Sequence, residues 1–479
     1  MIDLANDLNP LGEGREVVYD LEQFARRGRR FGTKDLFHRI SVPDNLVNVA
    51  TKSHAPSHAQ SHTVRVDHLP QDFRADIDPR TVGARSGLFW SGQGRVLAGV
   101  GELCRIPLKR RGGFVDAQTQ LSALTGYDEV ARPGSGPVAF AALDFDPSTD
   151  GELIVPEFVV STSPDGQQWI TTYNVDSTTG DTAEALIQRL LAHPGVKQQA
   201  AGPEPTALHL RSTLRPEVWR DEIVGRGRAL IRDGELDKCV LARELTVTAD
   251  APFDPTVILA RLTRTFPTAN IFFVDGFFGA SPELLIGRRS DVVHAHPLAG
   301  TAPRSTNPDN DRALALELMS SDKNRWEHQI TIDWLLDNLL PFCSYVDAEP
   351  QPSIVSLANV HHLGTKVEGR LSSPSASVLE LIDALHPTPA VGGDPQKAAI
   401  DLIAEIERSD RGRYAGPTGW VDGNGNGEFA VAIRSAQFER PDAVRLFAGV
   451  GVVAGSDLQA ELDETRSKFQ AILGALIQP

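Results

Sequence analysis

The chain has 479 residues and a formal net charge of −16 at pH 7. That charge argues against a nucleic-acid-binding protein, which needs a basic face. No apolar run approaches the length of a membrane span and the N-terminus has no signal-peptide core, so we expect a cytoplasmic protein without a membrane segment. The three cysteines are scattered and have no metal-ligand spacing, which favours a reduced protein without structural disulfides.

The first sixty or so residues differ in composition from the rest. Residues 51–63 are poor in bulky apolar groups, and His54, His58 and His62 are spaced there at i, i+4 and i+8. This spacing invites a zinc hypothesis, but a proline and small polar neighbours disfavour a helix, and no cysteine or carboxylate completes a ligand set. We therefore interpret the segment as a flexible connector.

The rest of the chain has the pattern of a globular domain. Strand patterns occur at 87–106 (two strands around a glycine-rich turn), 137–146, 152–162, 238–249 and 270–289. Helical patterns occur at 181–193, 215–236, 254–266, 308–340, 375–385, 395–408 and 457–476. Because strands and helices are mixed without regular βαβ alternation, the α+β class is favoured. We predict an N-terminal extension over 1–63, partly flexible, and one large domain over 64–479.

A glycine-rich hairpin is predicted over 411–439, with its tip at DGNGNGE. Acidic and asparagine residues alternate with glycine in this tip, as they do in an EF-hand loop. The spacing to a distal glutamate and the flanking helices of an EF-hand are missing, however, so the segment predicts a turn.

Lys238 and Glu283 are candidates for acid–base chemistry. Lys238 opens the apolar strand pattern KCVLAR, and Glu283 stands among aliphatic residues in SPELLIG. A lysine at a strand edge is usually exposed, but one that points inward loses hydration, which favours the neutral amine that a general base requires. A carboxyl group in apolar surroundings keeps its proton and can protonate a leaving group. An acid and a base on neighbouring strands, facing one cavity, would suit acid–base catalysis.

Two predicted helices carry acidic residues that could act together. Glu327 lies in one of them (KNRWEHQI). The other carries Glu461, Glu464 and Lys468 at i, i+3 and i+7, near one helical face. Salt bridges on a solvated face would explain the second group. Carboxylates from two distant helices would also suit Mg²⁺, which takes few protein carboxylates and leaves positions for water and an anionic ligand.

Tyr414 and Arg434 stand out in the predicted hairpin. Arg434 interrupts the apolar strand AVAIRSA, and an unpaired buried charge is very costly, so its guanidinium needs a partner. The planar fork of arginine suits a ligand carboxylate, and a carboxylate of the protein itself would satisfy it as well. The sequence leaves both alternatives open.

The segment LHPTPAVGG (385–393) joins two predicted helices through two prolines and two glycines. Proline lacks the N–H that helices and central strands need, and it biases the preceding residue toward extended geometry, so the segment is a rigid bend. Its small residues suit a ligand that approaches the backbone closely. For His386 we infer no chemical role, and capping or packing is the better interpretation.

Seven motifs together resemble one known family. They are PLAGTAPR, KNRWEH, LHPTPAVGG, RGRYAGPTGW, FAVAIRSA, AGVGVVAGSD and ELDETRSK. In that order they resemble the chorismate-utilising enzymes, which include anthranilate, aminodeoxychorismate, salicylate and isochorismate synthases. The resemblance covers Val64 to the C-terminus and is densest from Leu210. It implies one large domain with antiparallel sheets flanked by helices, and chorismate, a small anion, as substrate.

The resemblance also implies roles for individual residues. Glu327 and Glu464 match direct ligands of a Mg²⁺ ion that bridges the enzyme to the ring carboxylate of chorismate, and Glu461 matches a ligand that acts through water. Many relatives have a carboxylate where this chain has Asn324, so one charge is lost beside the metal. The residues that match substrate-binding positions are Gly300, Thr301, His362, Ala390, Tyr414, Arg434, Gly449, Gly451 and Lys468.

The nucleophile distinguishes members of the family. Ammonia-using members usually have glutamine at the position of Lys238, whereas lysine resembles the water-using members, in which it deprotonates water for attack at C2. Glu283 would then protonate the departing C4 hydroxyl. Ala299 in PLAGT excludes the covalent lysine route of aminodeoxychorismate synthases. These residues imply conversion of chorismate to isochorismate, an isomerase reaction, without an obligatory amidotransferase subunit.

Two alternatives stay open at this point. Salicylate synthases share Lys238 and Glu283 and then eliminate pyruvate, but usually have a threonine near the position of Ala390, whereas the alanine form resembles dedicated isochorismate synthases. A non-catalytic relative that only binds chorismate is the second alternative. We expect a monomer, and the motifs do not separate menaquinone from siderophore synthesis.

Overall fold

The computed structural model describes residues 17–20, 59–66, 77–109, 112–174, 182–197, 202–357 and 360–477. Within these ranges helices are combined with sheets that are antiparallel apart from one strand pair, which confirms the predicted α+β class. No helix in the described ranges is long and apolar enough to cross a membrane.

The largest sheet has fourteen strands in the described part of the chain. Thirteen follow one another in the order β1 (Val17–Asp20), β11 (Ala207–Ser212), β12 (Lys238–Ala249), β26 (Ala443–Val452), β25 (Ser435–Arg440), β14 (Phe277–Ser281), β13 (Asn270–Val274), β3 (Leu88–Gly92), β4 (Arg95–Val100), β9 (Phe158–Thr162), β10 (Gln168–Asn174), β2 (Gln60–Arg65) and β6 (Tyr127–Asp128). The short strand β22 (Gly393–Asp394) pairs with the start of β12.

Two further sheets complete the described strands. The nine-stranded sheet has the order β18 (Cys343–Ala348), β21 (Val367–Leu371), β16 (Val292–His296), β15 (Leu284–Arg289), β24 (Gly427–Val431), β23 (Pro417–Asp422), β7 (Val138–Ala142), β8 (Gly151–Val155) and β5 (Cys104–Leu108). The small sheet has the order β17 (Leu298–Pro303), β20 (Val360–Gly364) and β19 (Ser353–Ser356).

Helices connect the strands and cover the sheets. They are α1 (Pro79–Ser86), α2 (Gly113–Ser122), α3 (Ala183–Ala192), α4 (Pro216–Val218), α5 (Gly225–Arg232), α6 (Pro255–Thr265), α7 (Pro308–Ser320), α8 (Asp322–Leu339), α9 (Val378–Leu385), α10 (Gln396–Ile406) and α11 (Leu458–Leu476). A π-helical segment (Trp219–Val224) joins α4 to α5, and a 3₁₀ turn (Leu340–Phe342) follows α8.

The two large sheets pack face to face. Side chains of a strand alternate between its two faces, so each strand serves two cores. Leu97 and Phe272 of the large sheet meet Phe140 and Trp420 of the nine-stranded sheet in one buried cluster. The opposite face of the large sheet packs on α1, α6 and α11, and that of the nine-stranded sheet packs on α2, α8 and α9, while α10 packs on β12 and β22 of the large sheet.

Two of the places where the chain crosses between the two large sheets are adjacent. Glu283 lies in the link from β14 to β15, and Arg434 lies in the link from β24 to β25. The two links run side by side: the backbone N–H of Ala280 donates to the carbonyl oxygen of Arg434 at 3.0 Å, and that of Val431 donates to the carbonyl oxygen of Glu283 at 3.2 Å. Two polar side chains separated by 151 sequence positions are therefore brought together.

The single helix predicted over 308–340 is wrong, because the chain breaks at Ser321. That residue is extended (φ −70°, ψ 113°), and its side chain caps α8 by accepting a hydrogen bond from the backbone N–H of Asn324. Asp457 caps α11 in the same way, accepting from the N–H of Ala460 at 2.8 Å. The two caps determine where both carboxylate-bearing helices begin.

Two other expectations needed correction. The connector predicted over 51–63 ends in a strand, since residues 60–63 belong to β2. In that strand the ring of His62 stacks on Tyr127, with centroids 5.1 Å apart, while His54 and His58 lie outside the described residues. Helix α2 was not predicted from the sequence, and Gly112 and Gly113 at its start make the local helical signal weak.

The predicted hairpin is confirmed as β23 and β24. The carboxylate of Asp422 accepts hydrogen bonds from the backbone N–H groups of Gly134, Asn424 and Asn426 and from the side-chain amide of Asn426. The carboxylate is thus used within the protein to close the turn, as the interpretation of DGNGNGE as a turn requires.

Candidate active site

Lys238 begins β12 and is completely buried. Its Nζ lies 2.9 Å from Oε1 of Glu327, which α8 brings to the end of this strand. Gly451 of the neighbouring strand β26 makes room for the pair, because a Cβ there would collide with Oε1 of Glu327 and lie 3.2 Å from Cε of Lys238. Of the two orientations considered for Lys238, the structure shows the inward one.

The bend 385–393 supports the strand that carries Lys238. Its last residue, Gly393, begins β22, where it pairs with Cys239 while Asp394 pairs with Lys238. Gly393 has φ +144°, and a Cβ there would collide with the carbonyl oxygen of Lys238. Glycine is required here, because the backbone of the bend lies directly against the backbone of β12.

Arg411 fastens the same bend to β12, and sequence reasoning missed it. It is buried and forms an ion pair with Glu407, with Nε 2.8 Å from Oε2. Nη1 donates to the carbonyl oxygen of Val391 at 3.0 Å, and Nη2 donates to that of Val240 at 2.6 Å. The only available signal was an arginine close behind an acidic helix end, which is common on protein surfaces.

His386 and Ala390 both lie in the bend, and the structure tests the predicted role of only the first. The backbone N–H of His386 closes the last turn of α9 onto Ile382, and its Nε2 donates to the carbonyl oxygen of Phe145 at 2.9 Å. The capping and packing role expected for His386 is confirmed. Ala390 is half-buried, and its predicted place beside the substrate stays a prediction.

Glu283 is a buried carboxyl group surrounded by cations. Burial raises its pKa to about 7, against the opposing effects of Arg434, Lys238, Lys468 and the backbone N–H of Leu298. A carboxyl group with this pKa holds a proton near neutral pH and can still release it, as a general acid must.

Arg434 is buried in the adjacent link with a left-handed backbone (φ +51°). Its Nη2 donates to Nε2 of His362 at 2.5 Å, and Nδ1 of that histidine lies 3.1 Å from the carbonyl oxygen of Gly300, which can accept its proton. Burial, with the charge of Arg434, keeps the pKa of His362 well below its usual range, so the imidazole is neutral and accepts from the arginine.

The guanidinium of Arg434 has a donor to spare. Its Nε is buried without a hydrogen-bond partner, and no carboxylate of the described residues lies within ion-pair distance of it. A buried N–H without an acceptor is costly, and it suits a position that receives an anionic ligand. Of the two partners left open by the sequence, the geometry therefore favours the ligand carboxylate.

Tyr414 lies beside Arg434 and is also buried. Its ring stacks on Phe447, with centroids 5.1 Å apart, and burial raises its pKa to about 12, so the hydroxyl keeps its proton. A Cβ on Gly449 would come within 3.0 Å of this hydroxyl, and the carbonyl oxygen of Gly449 accepts from Nζ of Lys468 at 2.8 Å. Because residue 449 is a glycine, the hydroxyl of Tyr414 can approach the backbone of β26 where the ammonium of Lys468 also contacts it.

Gly300, Thr301 and His362 come from the small sheet. Thr301 on β17 is paired in register with His362 on β20, and its Oγ1 lies 3.2 Å from Nδ1 of that histidine. Gly300 has φ +72°, and a Cβ there would lie 3.1 Å from Cβ of Asn324. The small sheet therefore positions Arg434 through the imidazole and packs directly on the start of α8.

The three proposed metal carboxylates project from α8 and α11. Each has a lysine within ion-pair distance: Glu327 has Lys238, Glu461 has Lys323 at 3.6 Å, and Glu464 has Lys468 at 2.6 Å. The sequence did not single out Lys323, although it stands one turn before Glu327 in KNRWE. The negative charge of this group is balanced by ammonium groups of the protein itself.

The donor set fits a divalent cation. In the described ranges, no three histidine, cysteine or acidic side chains form a ready-made metal cluster. Burial, and then the charges of Glu464 and Glu327, nevertheless raise the pKa of Glu461 to about 7, so the other two carboxylates act electrostatically on this one. Such mutually repelling carboxylates are the hard oxygen donors that Mg²⁺ prefers. Asn324 donates its amide to Ser321 Oγ at 3.0 Å and so belongs to the helix cap.

His328 is a further buried residue that sequence reasoning missed. Its Nε2 lies 2.7 Å from Oγ1 of Thr365. Burial, and then the nearby charge of Lys238, lower its pKa to about 4, so it is neutral. His328 directly follows Glu327, and both side chains are buried on α8. Its place next to a candidate metal ligand was the signal in the sequence that could have identified it.

Known proteins resemble the chain over most of its length. The family model described as chorismate binding enzyme matches residues 49–477. The chain belongs to the chorismate-binding enzyme family. The family predicted from the motifs is thereby confirmed, and the match begins before the predicted boundary at residue 64.

Individual relatives of this chorismate-binding enzyme cover most of it. A Mycobacterium tuberculosis protein named "Putative isochorismate synthase MenF" is 41% identical over 361 residues, which are 72% of this chain and 88% of that protein. Isochorismate synthase MenF of Bacillus subtilis is 36% identical over 73% of this chain and 76% of its own length. The solved structure of the menaquinone-specific isochorismate synthase MenF of Escherichia coli, 22% identical, has the same fold with a TM-score of 0.72 over 96% of this chain and 99% of that one.

In this chorismate-binding enzyme the site residues come from the large and small sheets, from links that join the two large sheets, and from two helices. Lys238 and Glu283 are close enough for the ammonium to oppose the raised pKa of the carboxyl group, and Lys238 contacts Glu327 directly. The charge of Arg434 acts on Glu283 as well. The arrangement can exchange protons, hold a carboxylate and hold a cation within one buried region.

Proposed function

We propose that the chain is an isochorismate synthase, an isomerase that converts chorismate to isochorismate with Mg²⁺. The observation that carries this proposal is a completely buried lysine beside a buried carboxyl group whose pKa is about 7. A base and an acid of this kind can activate water and protonate a leaving hydroxyl in one site. The names of the relatives in Mycobacterium tuberculosis and Bacillus subtilis support the same reaction.

The reaction exchanges one hydroxyl group for another. Lys238 acts in its neutral amine form: after it gives up the proton that pairs with Glu327 in the free protein, it takes a proton from a water molecule as the water oxygen forms a bond to C2 of the ring. The ring double bonds shift, the C4–O bond breaks, and Glu283 gives its proton to the departing hydroxyl, which leaves as water. One water enters and one leaves, so the product is an isomer of the substrate. Because water is the nucleophile, neither ammonia nor an amidotransferase subunit is needed.

Charge stabilisation comes from two places. Arg434, with its unpaired Nε–H, and Tyr414, with its retained proton, are positioned to bind the enolpyruvyl carboxylate. Glu327 and Glu464 would hold Mg²⁺ directly and Glu461 through water, and the metal would neutralise the ring carboxylate. Preorganised positive charge of this kind lets a protein with a net charge of −16 bind a dianion.

The direct test is product identification. We expect purified protein with chorismate and Mg²⁺ to form isochorismate without free pyruvate, measured by chromatography with mass detection and by a coupled pyruvate assay. Release of pyruvate without an added lyase would replace the proposal by salicylate synthase activity. Unchanged chorismate at saturating Mg²⁺ would leave a binding protein instead.

A further inference from the structure

The three carboxylates proposed to hold Mg²⁺ are paired with three lysines, and two of these lysines are firmly held. The side chain of Lys238 is 1% exposed, and its ammonium lies 2.9 Å from Glu327. The side chain of Lys468 is 14% exposed, and its ammonium lies 2.6 Å from Glu464 and also donates to the carbonyl oxygen of Gly449. Both lysines are therefore fixed parts of the site.

The third lysine, Lys323, is held less firmly. Its side chain is 43% exposed. Among the described residues its ammonium has one partner, the buried carboxylate of Glu461, at 3.6 Å, which is too long for a hydrogen bond. A long, flexible and strongly hydrated side chain with one loose contact can turn into water at little cost. Of the three ammonium groups, that of Lys323 can leave the site most easily.

The position of Lys323 is also unfavourable for the helix that carries it. Lys323 is the second residue of α8, directly after the N-cap Ser321 and Asp322. The N-terminal end of a helix carries partial positive charge, so it repels a lysine in the first turn and attracts an acidic residue. Local helix energetics therefore oppose a lysine here, and the ion pair with Glu461 on α11 offsets that repulsion.

We propose that Lys323 neutralises Glu461 only in the metal-free protein and is displaced into solvent when Mg²⁺ binds. The inference rests on the metal site of the proposed function and assigns to Lys323 the role of setting the metal affinity. Mg²⁺ must replace one positive charge as it enters, so it binds more weakly than it would to the same carboxylates without this lysine.

Calorimetric titration of the full chain with MgCl₂, without chorismate, tests the effect on affinity. Lys323→Gln keeps a long polar side chain and removes the charge, so at low salt it should bind Mg²⁺ about fivefold to tenfold more tightly than the wild type. Lys323→Arg keeps the charge and should bind no more tightly than the wild type. Arg325→Gln is the matched control, because Arg325 is exposed on α8 and lies two positions from Lys323, on another side of the helix. It should bind Mg²⁺ within about twofold of the wild type, since its charge lies farther from the carboxylates.

Amine labelling of the wild type measures the displacement itself. Trace acetylation at fixed pH, followed by mass analysis of the peptides, should modify Lys323 faster with saturating Mg²⁺ than with EDTA. The reason is that an ammonium without a carboxylate partner loses its proton more readily. Lys397, which is exposed and pairs with Asp401 on α10, should react at the same rate in both conditions. Unchanged or slower labelling of Lys323 with Mg²⁺ would contradict the displacement.

The outcomes separate this inference from the proposed function. Equal or weaker Mg²⁺ binding by Lys323→Gln would overturn the inference and leave isochorismate formation standing. Mg²⁺ binding that tightens in Lys323→Gln, in a protein that does not convert chorismate, would uphold the inference and overturn the proposed function. Absence of Mg²⁺ binding to both proteins would overturn the metal assignment on which both rest.

Discussion

The catalytic pair Lys238 and Glu283 is held by strand ends, whereas the three proposed metal carboxylates project from helices α8 and α11. Lys238 opens β12 and Glu283 lies in a link between two sheets, and both side chains are almost fully buried. The side chain of Glu464, by contrast, is 25% exposed, and that of Lys323, which pairs with the second helical carboxylate, is 43% exposed.

This comparison divides the site into two halves. Lys238 and Glu283 are held in place by the fold itself, whereas the helical carboxylates must exchange their lysine partners for a metal ion. Pairing with β22 fixes the backbone at Lys238, and the N–H of Val431 donates to the carbonyl oxygen of Glu283 in the neighbouring link. The carboxylates are balanced by lysines, so Mg²⁺ must compete with ammonium groups for them. Variants of the strand half should therefore affect the chemical step, and variants of the helix half should affect the metal requirement.

The largest effect is expected from Lys238→Ala. Loss of the base should lower kcat by about 10³-fold or more. It also leaves Glu327 without its buried partner, which should destabilise the fold by roughly 3–5 kcal/mol. Steady-state kinetics and denaturant unfolding check both numbers. Addition of Mg²⁺ should recover part of the stability by supplying Glu327 with a cation.

The control for this variant is Lys397→Ala, on an exposed lysine that pairs with Asp401 on the surface of α10. It should leave both kcat and the free energy of unfolding unchanged. Turnover retained by Lys238→Ala would exclude that residue as the base and would remove the main argument for water activation.

Glu283→Gln tests the acid. It keeps the shape of the side chain and cannot release a proton, so kcat should fall by roughly 10²–10⁴-fold. In the wild type, activity should decline as the pH rises through about 7, because the group that protonates the leaving hydroxyl loses its proton. A pH profile of kcat for the wild type that stays flat between pH 6 and 8.5 would contradict this assignment.

Stability gives an independent measure of the same group. Folding raises the pKa of Glu283 from 4.5 to about 7, so its contribution to stability is fully present below pH 4.5 and is lost as the pH rises through 7. The difference corresponds to roughly 3 kcal/mol. Between pH 4 and pH 8, the free energy of unfolding of the wild type should therefore fall by roughly 3 kcal/mol relative to that of Glu283→Gln, which does not titrate. If the free energies of unfolding of the two proteins change with pH in the same way, the pKa of Glu283 is not raised by folding.

Glu464→Gln should act on the metal requirement. Removal of a direct ligand should raise the Mg²⁺ concentration needed for half-maximal activity at least tenfold, with a smaller effect on kcat at saturating metal. Glu461→Gln, which removes the ligand proposed to act through water, should cause a smaller increase. Asp463→Asn, on the outer side of the same helix turn and paired with Arg466, is the control. Activity that survives excess EDTA would contradict the metal assignment for all three carboxylates.

The smallest effect is expected from His362→Ala. The imidazole acts through Arg434, so its loss should raise KM for chorismate by about tenfold or less and leave the pH dependence of kcat in place. Arg434→Gln should raise KM more, because it removes the carboxylate-binding group itself. A larger effect on kcat than on KM in His362→Ala would place the histidine at the reacting atoms instead.

Much of the fold could be predicted because its signals are local. The predicted helix 457–476 corresponds to α11, and the glycine-rich hairpin tip is a turn closed by Asp422. The break at Ser321 could not be placed, because an apolar periodicity continues across it and only the cap of α8 reveals the boundary. Helix α2 was missed for the opposite reason, since two glycines obscure its start.

Within the site, side-chain chemistry could be inferred and side-chain partners could not. The sequence by itself determined that a lysine opens an apolar strand, that an arginine interrupts another, and that LHPTPAVGG is a rigid bend. Tertiary structure decided that the bend supports β12, that Arg434 keeps a free donor, and that Lys238 pairs with Glu327. The physical reason is that periodicity and turn chemistry act over a few residues, whereas desolvation and ion pairing depend on groups far apart in the chain.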